Sequence, residues 1–368
     1  MNRLTKWVRQ HQLAAFFVLA YAITWGAIIP AVALRSDERE LVQVLVFYLA
    51  RIGVYGPVLS GILVTRAAAP DGGEPDRARS SRAARWIAFF ATWVVAWAVG
   101  CLYLHRAASG EIPLTAIVVL NAPAAMLPAF VVSRAFSRVA SMRRYLSTLL
   151  RPRGRIGWYL LALLGFPAIH LLGNAIARLI GRASPPSDGA GLELIAFAVL
   201  EFLSVLFFSG GINEESGWRG FALPRLQAVH APLVANLILW FFWAAWHLPI
   251  DLVEFSREWH VINRLVLLPF VTILFGWVYN RTQGGILAPA LFHASMNSLN
   301  VLMDVFPVTT AGGALLVALG LLAIVYDRMW ERPPADTPSA TSRTPGRAEI
   351  PDLADSDDRP ISSTDLSI

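Results

Sequence analysis

Residues 210–224 read GGINEESGWRGFALP and lie between two strongly apolar segments near 192–210 and 232–249. The stretch places two adjacent carboxylates, Glu214 and Glu215, and the guanidinium of Arg219 among residues that are mostly apolar or small. An ionisable side chain within a membrane span costs about 2.5–3.5 kcal/mol on insertion scales, so it is a candidate functional group. Whether residues 210–224 form a buried helix or a surface loop therefore decides how the neighbouring helices are arranged.

The rest of the chain has the composition of a membrane protein. Of its 368 residues, 56% are hydrophobic and 15% are charged, whereas soluble domains are about 45–50% apolar. The apolar runs are continuous and about 20 residues long, which favours spanning helices over the alternating strands of a barrel. We predict an all-α fold, a polytopic transmembrane helix bundle of about ten spans. The predicted spans lie near 13–34, 42–65, 84–104, 113–133, 156–180, 192–210, 232–249, 261–279, 286–303 and 313–326.

The charged residues indicate the topology of the chain. The 31 Lys and Arg residues against 25 Asp and Glu residues lie between the apolar runs, which argues against a nucleic-acid-binding stripe. Arginines concentrate in the loops 66–83 and 134–155, and cytoplasmic loops are usually the basic ones. We therefore expect an integral protein of a bacterial plasma membrane with both termini in the cytoplasm. The first apolar run, near 22 residues, is longer than a signal-peptide core, so we expect it to be retained.

Three regions are predicted along the chain. Residues 1–140 form an N-terminal transmembrane region, and residues 141–327 form a core that contains candidate catalytic motifs within 210–300. Residues 328–368 are rich in Pro, Ser, Thr and Asp and poor in aromatic residues, which is typical of a disordered tail. The single cysteine, Cys101, excludes an intramolecular disulfide.

The spacing within 210–224 predicts different roles for the two carboxylates. Neighbouring residues on a helix point about 100° apart, so Glu214 and Glu215 must face different partners. Arg219 follows Glu215 by four residues, the spacing of a helical ion pair. Glu214 is then available as a general base in a low-dielectric setting. The motif read alone is also compatible with a cytoplasmic helix end whose charges are solvated.

Two further pairs of residues have helical spacing within apolar runs. Trp243 and His247 are four residues apart, as are His293 and Asn297, so each pair shares one face of a helix. A lone intramembrane histidine is more often a satisfied hydrogen-bonding group than a catalyst. Two histidines, an asparagine and a Glu pair in consecutive segments are harder to explain in that way.

The depth of these groups in the membrane constrains the helix that carries the Glu pair. If the helix over 192–210 ended there, Glu214 would lie near one edge of the bundle and His247 near the other, about 22 Å away. We therefore predict that this helix continues through the Glu pair to Leu223 and stops before Pro224. The same prediction makes the segment membrane-embedded, although hydropathy alone assigns it to a loop.

These residues resemble the three motifs of the CAAX prenyl endopeptidase and bacteriocin-processing family, also called CPBP or Abi, which includes the type II CAAX proteases. The EExxxR motif matches Glu214, Glu215 and Arg219. The FxxxH motif matches at His247, with Trp243 in place of Phe. The third motif, HxxxN, matches His293 and Asn297.

The resemblance implies an intramembrane endopeptidase that cleaves a membrane-associated protein or peptide by CAAX-type or leader and bacteriocin-type processing. By position, Glu214 and His247 would activate a water molecule. His293 and Asn297 would stabilise the oxyanion or complete the site. Glu215 and Arg219, with Trp243, would support them.

Several questions stay open at the level of sequence. Glu214, His247 and His293 could form a His2Glu zinc site, but there is no HExxH helix, and family members have been described both as metalloproteases and as glutamate proteases. The alternative function is a non-catalytic immunity or scaffold factor, or a proton-coupled transporter of the same fold. The expected partners are the substrate and the lipid bilayer, with no nucleic acid, and the sequence does not determine the oligomeric state.

Overall fold

The computed structural model describes residues 3–69, 82–182, 191–254, 263–302 and 308–332. In these ranges every regular element is a helix, which confirms the predicted all-α fold. The expected disorder of 333–368, and parts of the loops 66–83 and 304–312, lie outside the described residues. The α-helices are α1 Arg3–Gln10, α2 Gln12–Leu34, α3 Glu40–Val54, α4 Gly56–Ala68, α5 Arg82–Ala107, α6 Leu114–Ala124, α7 Met126–Ser133, α8 Ala140–Leu146, α9 Ile156–Leu179, α10 Leu192–Phe208, α11 Gly211–Gly217, α12 Leu223–Gln227, α13 Pro232–Trp246, α14 Leu248–Glu254, α15 Leu268–Arg281, α16 Leu287–Asn297 and α17 Thr310–Tyr326.

The number of helices able to cross a membrane is smaller than predicted. Among the described residues, four helices are long and apolar enough, at Gln12–Leu34, Arg82–Ala107, Leu114–Phe136 and Ile156–Leu179, and two bent pairs raise the number to six. Ten spans are therefore not confirmed. Helices α13, α15, α16 and α17 contain 11 to 17 residues and reach only about 16–26 Å, less than the ~30 Å hydrocarbon core. Hydropathy counts apolar residues and overlooks the turns between them.

Two bent helix pairs meet at their breaks. Helices α3 and α4 bend by 55° at Tyr55, and α10 and α11 bend by 41° at Gly210. The Asn213 side-chain amide donates to the Val54 carbonyl at 2.9 Å, and the Tyr55 hydroxyl donates to the Phe207 carbonyl. A break in an apolar interior frees backbone groups that need new partners. Here each broken pair supplies a side chain that satisfies the other.

Helix α11 lies at the centre of the packing. It contacts α4 on one side and α16 on the other. A Cβ added at Gly217 would lie 2.4 Å from Cβ of Pro57, so the close approach of α11 to α4 requires a glycine at this position. On α2, the Phe16 ring stacks on Phe221 with centroids 4.9 Å apart. The segment that follows α10 is therefore enclosed by helices from both halves of the chain.

The N-terminal helix lies at the same end of the bundle as the C-terminal end of α4. The Arg9 guanidinium donates to the carbonyl of Ala69 at 2.7 Å and to that of Ala67 at 3.3 Å. This agrees with the expectation that the N-terminus and the loop 66–83 share one side of the membrane. Which side faces the cytoplasm stays a prediction.

Candidate active site

The segment that carries the Glu pair is a buried helix. Helix α11 continues through a π-helical turn, Trp218–Ala222, into α12, and we call Gly211–Gln227 the motif helix. Every residue of α11 is buried, so the alternative of a solvated helix end is wrong. The prediction that the segment is helical is confirmed, and its depth in a membrane stays a prediction.

The predicted boundaries of this helix are wrong at both ends. The chain breaks at Gly210, where φ is +135°, so the motif helix is not a continuation of α10. At the other end the helix passes Pro224 and ends at Gln227. Pro224 lies in the first turn of α12, directly after the π-helical turn. The missing N–H of this proline falls where the backbone bonding changes from the π-helical to the α-helical pattern.

Glu215 connects the motif helix to α16. Its Oε1 accepts a hydrogen bond from Nη1 of Arg219 at 3.0 Å and lies 2.8 Å from Nδ1 of His293. The predicted ion pair between Glu215 and Arg219 is confirmed, and neither side chain has exposed surface. The contact with His293 goes beyond the predicted role of Glu215, which was to hold the motif helix. Because a carboxylate accepts hydrogen bonds, the bonding pattern assigns a proton to Nδ1 of His293.

Arg219 is held between aromatic rings. Its guanidinium carbon lies 4.5 Å from the Trp243 ring centroid and 4.6 Å from that of Phe275. Its Nε and Nη2 atoms, and Oε2 of Glu215, are buried without a hydrogen-bond partner. Cation–π contacts compensate only part of such desolvation. The pair is therefore a costly buried charge network, which is typical of functional sites.

Glu214 faces α13, whereas the adjacent Glu215 faces Arg219 and His293. Its Oε2 accepts a hydrogen bond from the indole Nε1 of Trp243 at 2.8 Å. Glu214 is 5% exposed and Glu215 has no exposed surface, so Glu214 is the less completely enclosed of the two carboxylates. The Phe that the family motif places at this position has no N–H. The departure to Trp243 therefore adds a hydrogen bond to the candidate base.

The C-terminal end of α13 orients the first histidine. Nδ1 of His247 lies 2.7 Å from the backbone oxygen of Trp243. A carbonyl oxygen only accepts, so Nδ1 donates and Nε2 is left as an acceptor. The Trp243 and His247 rings have centroids 5.7 Å apart. Trp243 therefore contacts both His247 and the candidate base Glu214.

The second histidine lies against the helix break. The His293 ring meets Trp243 nearly edge-on at 5.7 Å. A Cβ at Gly210 would lie 2.5 Å from Nε2 of His293, so the break and the imidazole fit together only with glycine. Asn297, half-buried, donates from Nδ2 to the Ser209 carbonyl at 3.5 Å. His293 and Asn297 therefore both face the end of α10, as their shared helical face predicts.

Sequence reasoning missed two residues of this site, Asn213 within the stretch 210–224 and Tyr145 on α8. Oδ1 of Asn213 accepts from the backbone N of Gly210 at 2.9 Å, which fixes the start of the motif helix. The adjacent glycines followed by an asparagine were a signal of a chain break. The Tyr145 hydroxyl, which donates to the Ser216 carbonyl at 2.8 Å, had no comparable signal because α8 is distant in sequence.

The predicted metal ligands do not form a ligand cluster. Across the ranges that the structure describes, no group of three His, Cys, Asp or Glu side chains is arranged to hold a metal ion. The His2Glu set of Glu214, His247 and His293 therefore does not fit a preformed zinc site, and we assign no chemical step to a metal.

Comparisons with known proteins match the same region. Residues 195–299 match the family model described as type II CAAX prenyl endopeptidase Rce1-like. The chain is also 27% identical over 181 residues to a curated protein of Methanococcus maripaludis named CAAX prenyl protease 2. That alignment covers 44% of this chain and 65% of the relative, slightly less than two thirds of its length. Residues 195–299, which include every predicted site residue, are therefore similar to CAAX proteases.

Proposed function

We propose that this chain is an intramembrane endopeptidase that hydrolyses a peptide bond of a membrane-associated protein or peptide. The observation that carries the proposal is that Trp243 binds one oxygen of Glu214, while His247 and His293 are both engaged through Nδ1. This arrangement leaves one carboxylate edge and two Nε2 atoms for chemistry. Such groups, held by second contacts, are what general acid–base catalysis requires.

In the proposed reaction, Glu214 accepts a proton from a water molecule as the water oxygen attacks the scissile carbonyl carbon. Nε2 of His247 accepts a hydrogen bond from the same water and orients it. The tetrahedral intermediate then collapses as the proton on Glu214 passes to the leaving nitrogen and the C–N bond breaks. The products are a carboxylate and an amine. General acid–base catalysis of this kind contributes about 10²–10⁴ in rate.

The developing oxyanion is stabilised from α16. Nδ2 of Asn297 is a donor held only by a long contact of 3.5 Å, so it can turn towards an oxyanion at little cost. Nε2 of His293 donates to the oxyanion when it is protonated. Glu215 and Arg219 act as positioning residues because they hold His293 and the motif helix in place. A preorganised oxyanion donor contributes about 10²–10³ in rate.

The substrate class follows from the comparisons. The matched family model and the archaeal relative both carry the name of a CAAX prenyl protease. We therefore propose a CAAX-type C-terminal substrate, with leader-type processing as the outcome if prenylated peptides are not cleaved.

The test compares wild type and Glu214→Gln in nanodiscs, with prenylated and unprenylated CAAX peptides and with leader peptides. Glutamine keeps an oxygen that can accept from Trp243 but cannot take up a proton, so we expect cleavage to fall by about 10²–10⁴. Glu193→Gln, an exposed carboxylate near the start of α10, is the matched control and should cleave at the wild-type rate. Equal cleavage by wild type and Glu214→Gln would remove Glu214 from the mechanism.

Two further arms separate the alternatives. Activity that a chelator abolishes and zinc restores would show that a metal takes part. Folded wild-type protein that cleaves none of the peptides would favour the non-catalytic immunity, scaffold or transporter function.

A further inference from the structure

Two adjoining cavities lie at one end of the bundle, and no candidate active-site residue lines either of them. The larger, of about 350 Å³, is lined by Arg66, Arg85, Arg134 and Arg138, and we call it the arginine cavity. The smaller, of about 170 Å³, is the aromatic cavity, lined by Trp86, Phe89 and Phe130. Arg85, Arg134 and Phe130 line both cavities, so the two lie side by side.

The four arginines come from the ends of four helices that converge. Arg66 lies in the last turn of α4, Arg85 in the first turn of α5, and Arg134 directly follows α7. Arg138 lies two residues before α8. Arg66, Arg134 and Arg138 belong to the predicted basic loops, and Arg85 lies two residues beyond the loop 66–83. The arginine cavity is therefore at an end of the bundle that meets a charged membrane surface.

The arginine cavity has an excess of positive charge that the described chain does not neutralise. None of its four arginines forms an ion pair with a carboxylate in the described ranges. Nε of Arg134 is buried without a hydrogen-bond partner, and Arg85 is close enough to repel its charge. A buried donor without an acceptor and two like charges are both unfavourable. A bound anion would relieve both.

The lining of the two cavities indicates the chemistry of that anion. Guanidinium groups bind phosphate through paired N–H donors, and basic pockets between transmembrane helices bind anionic lipid headgroups. The neighbouring aromatic cavity opens beside Trp86, which is 49% exposed on the outer surface of α5. A free phosphate ion would have no use for that apolar extension, whereas the glycerol and acyl chain of a lipid would fill it.

We propose that the arginine cavity binds the phosphate of an anionic phospholipid, with the glycerol and upper acyl chain in the aromatic cavity. The lipid joins the ends of α4, α5 and α7, where Arg85 and Arg134 otherwise repel each other. The site is independent of the proposed proteolytic reaction.

The test uses the full-length protein purified in detergent and examined by native mass spectrometry. Phosphatidylglycerol, phosphatidylcholine and inorganic phosphate are added separately, and the apparent Kd of each is measured. We expect wild type to bind phosphatidylglycerol. The double variant Arg85→Gln/Arg134→Gln should bind it at least about tenfold more weakly, because each substitution removes a charge-assisted contact with the phosphate. Arg151→Gln, an exposed arginine of the same basic loop outside the cavity, should keep the wild-type Kd.

Each result decides the proposal. Equal Kd values for phosphatidylglycerol in wild type and the double variant, or equal binding of phosphatidylcholine, would overturn it. Inorganic phosphate that binds as tightly as phosphatidylglycerol would assign the site to a soluble anion and refute the lipid. If the double variant does not fold, the pair Arg66→Gln/Arg138→Gln, both at exposed positions on the cavity rim, decides by the same comparison.

Discussion

A methyl group added at Gly210 is expected to disrupt the candidate site without changing any charged residue. In Gly210→Ala the new Cβ would lie 2.5 Å from Nε2 and 2.7 Å from Cδ2 of His293, at a φ of +135°. The imidazole has little room to move, because Glu215 holds its Nδ1 and the Trp243 and Phe275 rings pack against it. Backbone and imidazole must therefore both be strained.

The expected magnitude has two parts. Holding alanine at this φ costs about 1–3 kcal/mol. An ordinary contact begins near 3.4 Å, so the ring must shift by about 0.9 Å, enough to stretch the 2.8 Å contact between His293 and Glu215. Losing that charge-assisted bond costs about 1.5–3 kcal/mol. The free energy of unfolding should fall by about 2.5–6 kcal/mol. Cleavage should fall by about 10²-fold, because a 1 Å misplacement at a catalytic group has that effect.

The assay combines thermal unfolding of the detergent-solubilised protein, followed by tryptophan fluorescence, with the peptide cleavage assay. Two glycines provide matched controls. Gly110→Ala has a φ of +89° but nothing within 4 Å of its Cβ, so it measures backbone strain alone. Gly26→Ala, in the interior of α2, also has open space and no positive φ, and it should raise stability by about 0.5–1 kcal/mol.

The difference between Gly210→Ala and Gly110→Ala isolates the contact with His293. If Gly210→Ala unfolds at the same temperature as Gly110→Ala and cleaves at the wild-type rate, the close packing of the break against His293 is refuted. A loss of stability with full cleavage activity would instead remove His293 from the reaction.

Three other substitutions test individual contacts. Trp243→Phe removes the N–H that binds Glu214. We expect the free energy of unfolding to fall by about 1–3 kcal/mol, which lowers the unfolding temperature, and we expect slower cleavage. Arg219→Met leaves the Glu215 carboxylate buried without its cation, and we expect a loss of about 3–5 kcal/mol in thermal unfolding experiments. Asn297→Ala should lower kcat by about 10²–10³ with little change in Tm, because its hydrogen bond is long.

The controls for these variants lie outside the site. Trp330→Phe changes a half-exposed indole, and Asn300→Ala changes an exposed amide three residues after Asn297. Both should behave as wild type. An unchanged Tm for Trp243→Phe, a stable Arg219→Met, or an unaltered kcat for Asn297→Ala would each contradict the contact that the variant tests.

The number of spans shows where hydropathy failed. The segments near 232–249 and 286–303 were predicted as spans from their apolar content, but α13 and α16 contain only 15 and 11 residues. Side chains that face the protein interior are as apolar as those that face lipid, so hydropathy could not separate a spanning helix from a short core helix. Hydropathy made the converse error at residues 210–224. It assigned these polar residues to a loop, although they form a helix buried among aromatic rings.

The sequence was sufficient for contacts that follow from the regular spacing of residues along one helix. The helical class follows from long continuous apolar runs, and the contact of Glu215 with Arg219 follows from a spacing of four residues. The shared helical face of His293 and Asn297 follows from the same geometry. The resemblance of the three motifs to CAAX proteases also required no coordinates, and the comparisons agree with it.

Contacts between helices required the folded chain. The bond from Trp243 to Glu214 joins residues 29 positions apart, and the contact of His293 with Glu215 joins residues 78 positions apart. No helical period relates such residues. Their meeting depends on how whole helix surfaces pack and on where Gly210 breaks the chain. Local backbone geometry therefore decided which groups share a helix face, and packing decided that Glu215, predicted to support the motif helix, also binds a histidine.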